Sequence, residues 1–173
     1  MSTPVIQTER LTLRGWRNSD SEALYRLNSD PEFVRYLGDG KPLSRDDSWR
    51  ILAVLAGHWA LKGFGLWAVE LTETKEAIGR VGLWEPHGWP AIELGWGISP
   101  EHWGKGYATE TARASLKWAF DDLGLESVIS IIHPDNHASK SVALRIGESF
   151  SHTEKLKNIN CEIYKVTRQT YYK

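Results

Sequence analysis

A mixed α/β fold, with a mostly antiparallel sheet and helices on both faces, is what this sequence predicts. Apolar residues alternate with a period of two from about Gly65 to Ile98, across polar turns, which reads as an antiparallel meander. After Pro100 the period lengthens to that of a helix and a short apolar run follows, so a crossover returns the chain as a locally parallel strand. Finally, 173 residues, 41% of them hydrophobic, suffice for one core without staples, and one domain over 1–173 is expected.

The elements follow in order. Leu11-Thr12-Leu13-Arg14 alternates as a half-buried strand does. Ser19 and Glu22 have the spacing of a capping box ahead of the apolar face Ala23, Leu24 and Leu27. Asp30-Pro31 supplies an N-cap and a first-turn proline before Phe33, Val34 and Leu37. Ser44 and Asp47 then open a longer helix, with Trp49, Leu52, Ala53, Ala56 and Trp59 recurring every three or four residues up to Gly63.

The meander comprises a strand around Trp67, Val69 and Leu71, the turn 72–76, and strands from Ala77 to Trp84 and Ala91 to Ile98 joined by the turn-prone 85–90. Ala108, Ala112, Leu116, Ala119, Phe120 and Leu123 line one side of a helix stopped by Gly124. Ser127–Ile132 is a buried strand by composition, and Ala138, Val142 and Ile146 stripe a further helix ending at Gly147. Strands from Ser149 to Glu154 and Cys161 to Thr167 close the chain.

A net charge of −1 provides no global field to gather a polyanion, so nucleic acid is not an expected partner. Cys161 is the sole cysteine, which excludes an internal disulfide and a cysteine metal cluster and fits a reducing cytoplasm. Met1-Ser2-Thr3-Pro4 does not open like a leader, and no run approaches membrane-spanning length. A soluble, unprocessed protein without a membrane partner is the expectation.

Chemistry concentrates in Trp103-Gly104-Lys105-Gly106-Tyr107-Ala108, between a strand and a helix. Glycines let the backbone curl tightly, and the helix start aims unpaired N–H groups at the loop, so an anion fits there. The same glycines also suit a plain strand-to-helix turn. A Walker loop is excluded, because Ser99 replaces its first glycine and Gly106 its Ser or Thr; the Rossmann spacing is absent too.

The combined pattern resembles the GCN5-related N-acetyltransferase superfamily, and within it the branch that acetylates ribosomal-protein N-termini. Thr8-Glu9-Arg10-Leu11-Thr12-Leu13-Arg14 looks like that branch's first strand, and Ile98 to Glu110 like its coenzyme loop. Pro134-Asp135-Asn136-His137-Ala138-Ser139-Lys140-Ser141-Val142-Ala143, followed by Gly147, resembles its second signature. The resemblance implies a sheet split after the fourth strand and acetyl-CoA as co-substrate. Gly104, Lys105, Gly106, Ala108 and Thr109 would hold the pyrophosphate, and Trp96, Gly97 and Ile98 the pantetheine arm. Trp103 stands where the superfamily commonly has Gln or Arg. Gly95 and Gly97 could permit a bulge or a close backbone approach in the strand before the loop.

Asn136 suits either a helix cap or a hydrogen bond to the coenzyme arm. Glu93 is read as the base that neutralises the acceptor amine, against the alternative of a solvated residue on a polar sheet face. The family's proton-donating tyrosine is replaced by Ala143, and Ser139 resembles the hydroxyl used in the N-terminal acetyltransferase branch. Cys161 is read as a small buried hydrophobe rather than a nucleophile. His133 and His137 straddle Pro134 and make no metal pair. Trp16, Trp67, Trp84 and Trp89 are candidates for an acceptor pocket, each equally explained by core or rim packing.

The expected function is direct acetyl transfer from acetyl-CoA to a primary amine, on a peptide N-terminus or a small molecule, by a monomer or homodimer without metal. A coenzyme A-binding sensor of the same fold, and an unrelated α/β domain whose glycines only turn the chain, are the alternatives.

Overall fold

The computed structural model describes residues 3–173; Met1 and Ser2, part of the start read above as leaderless, lie outside the described residues. The chain forms β1 (Ile6–Gln7), β2 (Leu11–Arg14), α1 (Ser21–Ser29), α2 (Pro31–Val34), α3 (Arg45–Lys62), β3 (Leu66–Leu71), β4 (Ala77–Trp84), β5 (Glu93–Ile98), α4 (Tyr107–Asp121), β6 (Ser127–Ile132), α5 (His137–Arg145), β7 (Ser149–Leu156), β8 (Ile159–Thr167) and α6 (Arg168–Tyr171). These strands make one eight-stranded sheet in the order β1-β2-β3-β4-β5-β6-β8-β7. Every neighbouring pair is antiparallel except β5 and β6.

Alternation along the strands sorts the core. Leu11, Leu13, Trp67, Val69, Val81, Leu83, Leu94 and Ile98 pack with Ala112, Leu116 and Phe120 of α4, with Val142 of α5 and with Ile146 just after it. On the opposite face Leu66 and Trp84 meet Leu24, Leu27, Phe33, Leu52 and Leu55 from α1, α2 and α3. Helices therefore cover both faces, and each cap works locally. The Asp30 side chain accepts from the N–H of Glu32 and Phe33, and Ser44 accepts from Asp47 N–H at 3.1 Å. Gly63 ends α3 with φ of 74°, a left-handed turn that favours glycine.

Two expectations need correction, and two elements were not expected. Strand β1 and helix α6 were not anticipated; with β1 counted, the strand ending at Ile98, the fourth expected from the sequence and the one after which the sheet splits, is β5. Ser19 lies in a 3-10 turn, Asn18–Asp20, and Asp20 is the residue before α1. Asp20 is committed elsewhere: it accepts from Arg17 N–H and forms a two-point pair with the Arg14 guanidinium at 2.8 and 2.9 Å, while Arg14 Nε donates to Glu70 at 2.6 Å. Finally, β5 runs in unbroken register along β4, from Trp84↔Glu93 to Gly79↔Ile98, so Gly95 and Gly97 make no bulge there.

Candidate active site

The sheet opens between β5 and β6, which share a single paired position, Glu93↔Ile129. In an antiparallel pair, successive residues point their N–H and C=O alternately toward and away from the partner. Ser99 N–H bonds to Ile78 C=O, and Ile129 N–H bonds to Ile92 C=O. Glu93, Gly95 and Gly97 therefore turn their main chain to β4, and Leu94, Trp96 and Ile98 turn theirs to the gap. Of the three residues expected at the pantetheine arm, Trp96 and Ile98 offer the gap main-chain groups and Gly97 does not.

Side chains close the vertex of the gap. Ser130 Oγ donates to Leu94 C=O at 2.8 Å, where a continued ladder would have placed Ile131 N–H. That N–H lies near the Glu93 carboxylate instead, and the carboxylate accepts from Trp89 Nε1 at 2.7 Å. Burial pushes the Glu93 carboxyl up to about 7, against the indole hydrogen bond, the nearby Ile131 N–H and the charge of Arg80, which favour ionisation.

Behind Glu93 lies Glu148, only 3% exposed, with Oε1 at 2.9 Å from Ser130 Oγ and Oε2 without a partner among the described residues. Burial pushes its carboxyl up to about 8, and the neighbouring Glu93 charge adds to the rise. Ser130 has one proton, and Leu94 C=O can only accept. Both contacts are satisfied together when Glu148 is protonated and donates to Ser130 Oγ. Glu148 and Ser130 carry no signal in the sequence, because their meeting depends on the order of the strands.

At the far end of β5 the loop turns through Gly104 and Gly106, with φ of 76° and 81°, into α4. From Gly104 to Thr109 no N–H has a hydrogen-bond acceptor among the described residues; the first bonded N–H is that of Glu110, to Gly106 C=O. A run of free donors at a helix start is a cradle for phosphate oxygens. Gly104 has no heavy atom within 4 Å of where a Cβ would lie, leaving room for a ligand. Arg10 braces the loop: it forms a two-point pair with Glu110, donates to Lys105 C=O at 2.9 Å, and lies 4.6 Å from the Tyr107 ring centroid. Trp103 Nε1 donates to Ile98 C=O at 2.7 Å, tying loop to strand.

The profile of the family described as Acetyltransferase (GNAT) domain matches residues 10–148. This chain belongs to that family. Among its relatives is the uncharacterized N-acetyltransferase YoaA of Bacillus subtilis, 32% identical over 147 residues, covering 83% of this chain and 82% of the relative. An acetyltransferase structure from Agrobacterium tumefaciens superposes with a TM-score of 0.85 at 32% identity, covering 97% of this chain and 96% of that one. The microcin C7 self immunity acetyltransferase MccE, solved in complex with acetyl-CoA and AMP, shares the fold at a TM-score of 0.74, 18% identity and coverage of 92% and 93%.

The remaining expected residues of this GNAT enzyme are placed as follows. Asn136 caps α5, accepting from Ser139 N–H at 3.1 Å. The Ser139 hydroxyl makes no hydrogen bond among the described residues, and Ala143 is fully buried against Ile132 and Tyr164. Ala108 and Thr109 occupy the first turn of α4, and Lys105 is exposed in the loop.

Of the four tryptophans considered for an acceptor pocket, Trp67 is fully buried against Trp59 and Trp118 and cannot line one. Trp16 donates to Leu66 C=O, Trp84 stacks on His58, and Trp89 holds Glu93. Cys161 is buried, and burial pushes its thiol up, which leaves it a weak nucleophile. No helix is long and apolar enough to cross a membrane among the described residues.

Proposed function

We propose that the chain acts as one N-acetyltransferase domain, using acetyl-CoA to acetylate a primary amine directly. The observation that carries this reading is the gap between β5 and β6: main-chain groups at Trp96 and the N–H of Ile98 face it and lead from the phosphate cradle of α4 to a half-buried carboxylate at the vertex. An amide-bearing arm pairs with such an edge as an added strand does. Gly104, Lys105, Gly106, Ala108 and Thr109 receive the pyrophosphate, and Asn136 borders the arm while capping α5.

The acceptor approaches from the face covered by α1, α2 and α3, where Glu93 lies. Most amines are protonated at neutral pH, so the ammonium first gives a proton to the Glu93 carboxylate, directly or through water. The nitrogen then attacks the thioester carbonyl carbon, the C–S bond breaks, and the second proton that the nitrogen must lose passes through water to the departing thiolate, so that coenzyme A leaves as the thiol. In this reading Ser139 hydrogen-bonds that sulfur in place of the absent tyrosine at Ala143. The acceptor is a peptide N-terminus or a small molecule, and a chain with one buried thiol suits the reducing cytoplasm.

Thiol release from acetyl-CoA, followed across a panel of peptides and small amines, tests the reading. Turnover with at least one amine, absent without an acceptor, is the expected result. Tight coenzyme binding without transfer to any amine would replace it with a sensor role.

A further inference from the structure

On the face that carries Glu93, the cross-strand pairs of β4 and β5 run Trp84–Glu93, Gly82–Gly95, Arg80–Gly97. The middle pair has no side chains. A Cβ built on Gly95 meets nothing closer than Leu66 Cδ2 at 3.9 Å and Glu93 Oε1 at 4.0 Å, so the floor there is open. The outer pairs stand four residues apart along the strand, about 13 Å. One end of this trough carries the Glu93 carboxyl and the other the Arg80 guanidinium. Phe33 walls the Arg80 end, its ring centroid 5.5 Å from the guanidinium carbon and its edge filling the space over Gly97.

Arg80 is the unusual member. It forms no salt bridge and donates no hydrogen bond among the described residues, whereas the buried Arg14 on the same face is fully paired. Burial lowers the Arg80 guanidinium to about 10, and Glu93 is the one carboxylate whose charge offsets that cost. Glu93 cannot serve as its lasting counter-ion, because transfer requires it to take a proton. A half-buried guanidinium with no carboxylate or carbonyl beside it among the described residues is free to take an anion from outside the chain. Its planar fork suits a carboxylate held at two points.

We infer that the acceptor is an amino acid: its amine lies at the Glu93 end of the trough, its carboxylate pairs with Arg80, and the Gly82–Gly95 pair makes room for what joins them. This rests on the acetyl-transfer reading and narrows it. A peptide N-terminus, whose first carbonyl is an amide, leaves Arg80 unpaired. Arg80 is thus the residue that determines specificity, while Glu93 handles the proton.

Thiol release is measured with α-amino acids, each matched with its carboxamide, on wild type, Arg80→Gln and Arg80→Lys. The expected result is a preference for the free acid on the order of tenfold or more in kcat/KM, because a site built for a charged group rejects the analogue lacking it. Arg80→Gln should abolish that preference, mainly through the KM for the amino acid and with the KM for acetyl-CoA retained, and Arg80→Lys should keep part of it. Carboxamides turned over as well as acids, or an Arg80→Gln enzyme that still discriminates, would overturn the inference. Should no amine be acetylated, the transfer reading fails by itself. Calorimetric binding of N-acetylglycine against N-acetylglycinamide to wild type then decides the inference, with stronger binding of the acid expected and equal binding contradicting it.

Discussion

Glu93 is held by the Trp89 indole N–H with the Ile131 main-chain N–H nearby, yet burial outweighs both and leaves its carboxyl near neutrality. A base poised there accepts a proton at working pH and releases it afterwards. Activity should therefore fall as pH drops through about 7, where Glu93 becomes protonated. Glu93→Gln should lower kcat on the order of a hundredfold or more, remove that acidic limb, and change the KM for acetyl-CoA little. Turnover and a pH profile equal to wild type would remove the base role.

Glu148 gives a separate, thermodynamic test. Its folded carboxyl is raised to about 8 from an ordinary 4.5, so the folded state binds the extra proton between those values. Stability contributed by the neutral form is complete below the unfolded value and is lost as pH rises through the folded one. Thermal melts of Glu148→Gln should consequently show a smaller loss of Tm between pH 5 and pH 9 than wild type, the opposite of what removing a salt bridge would do.

At the scale of elements, β2, the turn that leads into α1, and β3 are joined by the Arg14–Asp20–Glu70 cluster, whose three side chains are all below 9% exposed. Removing one partner leaves buried charge uncompensated, and Arg14→Leu should cost about 3–5 kcal/mol in a denaturant titration. The coenzyme loop depends on an exposed clasp instead. Arg10→Ala should leave Tm nearly unchanged and raise the KM for acetyl-CoA, because it frees Glu110 and the loop carbonyl of Lys105.

These elements also show what local sequence can express. The meander and the helix after Gly106 were legible because period, turn residues and glycine stops are written in adjacent residues. Ser19 and Glu22 carried a plausible capping signature, but Asp20 was drawn to a guanidinium six positions away in another element. Strand β1 is too short for a period to show, and α6 is a single turn. Gly95 and Gly97 were correctly singled out as unusual for a strand. Their consequence, an open floor and a seat for Phe33, depended on β4 and α2.

For the molecule as a whole, the site is a property of topology. A crossover through α4 brings β6 beside β5 in parallel, and after one paired position the two diverge. The phosphate cradle lies at one end of β5 and Glu93 at the other, so a single extended ligand can reach both. Family resemblance indicated that arrangement from two motifs. The polar vertex of Glu93, Ser130 and Glu148, and the trough ending at Arg80, were invisible because their members come from β4, β5, β6 and the residue before β7.

Residue-resolved amide hydrogen exchange, with and without acetyl-CoA, tests this placement most directly. Slowed exchange is predicted at Trp96 and Ile98, whose N–H groups face the gap, and along Gly104 to Thr109, with Gly97 already slow in both states through its pairing with β4. Protection confined to other parts of the chain, or none at Trp96 and Ile98 under saturating acetyl-CoA, would contradict it.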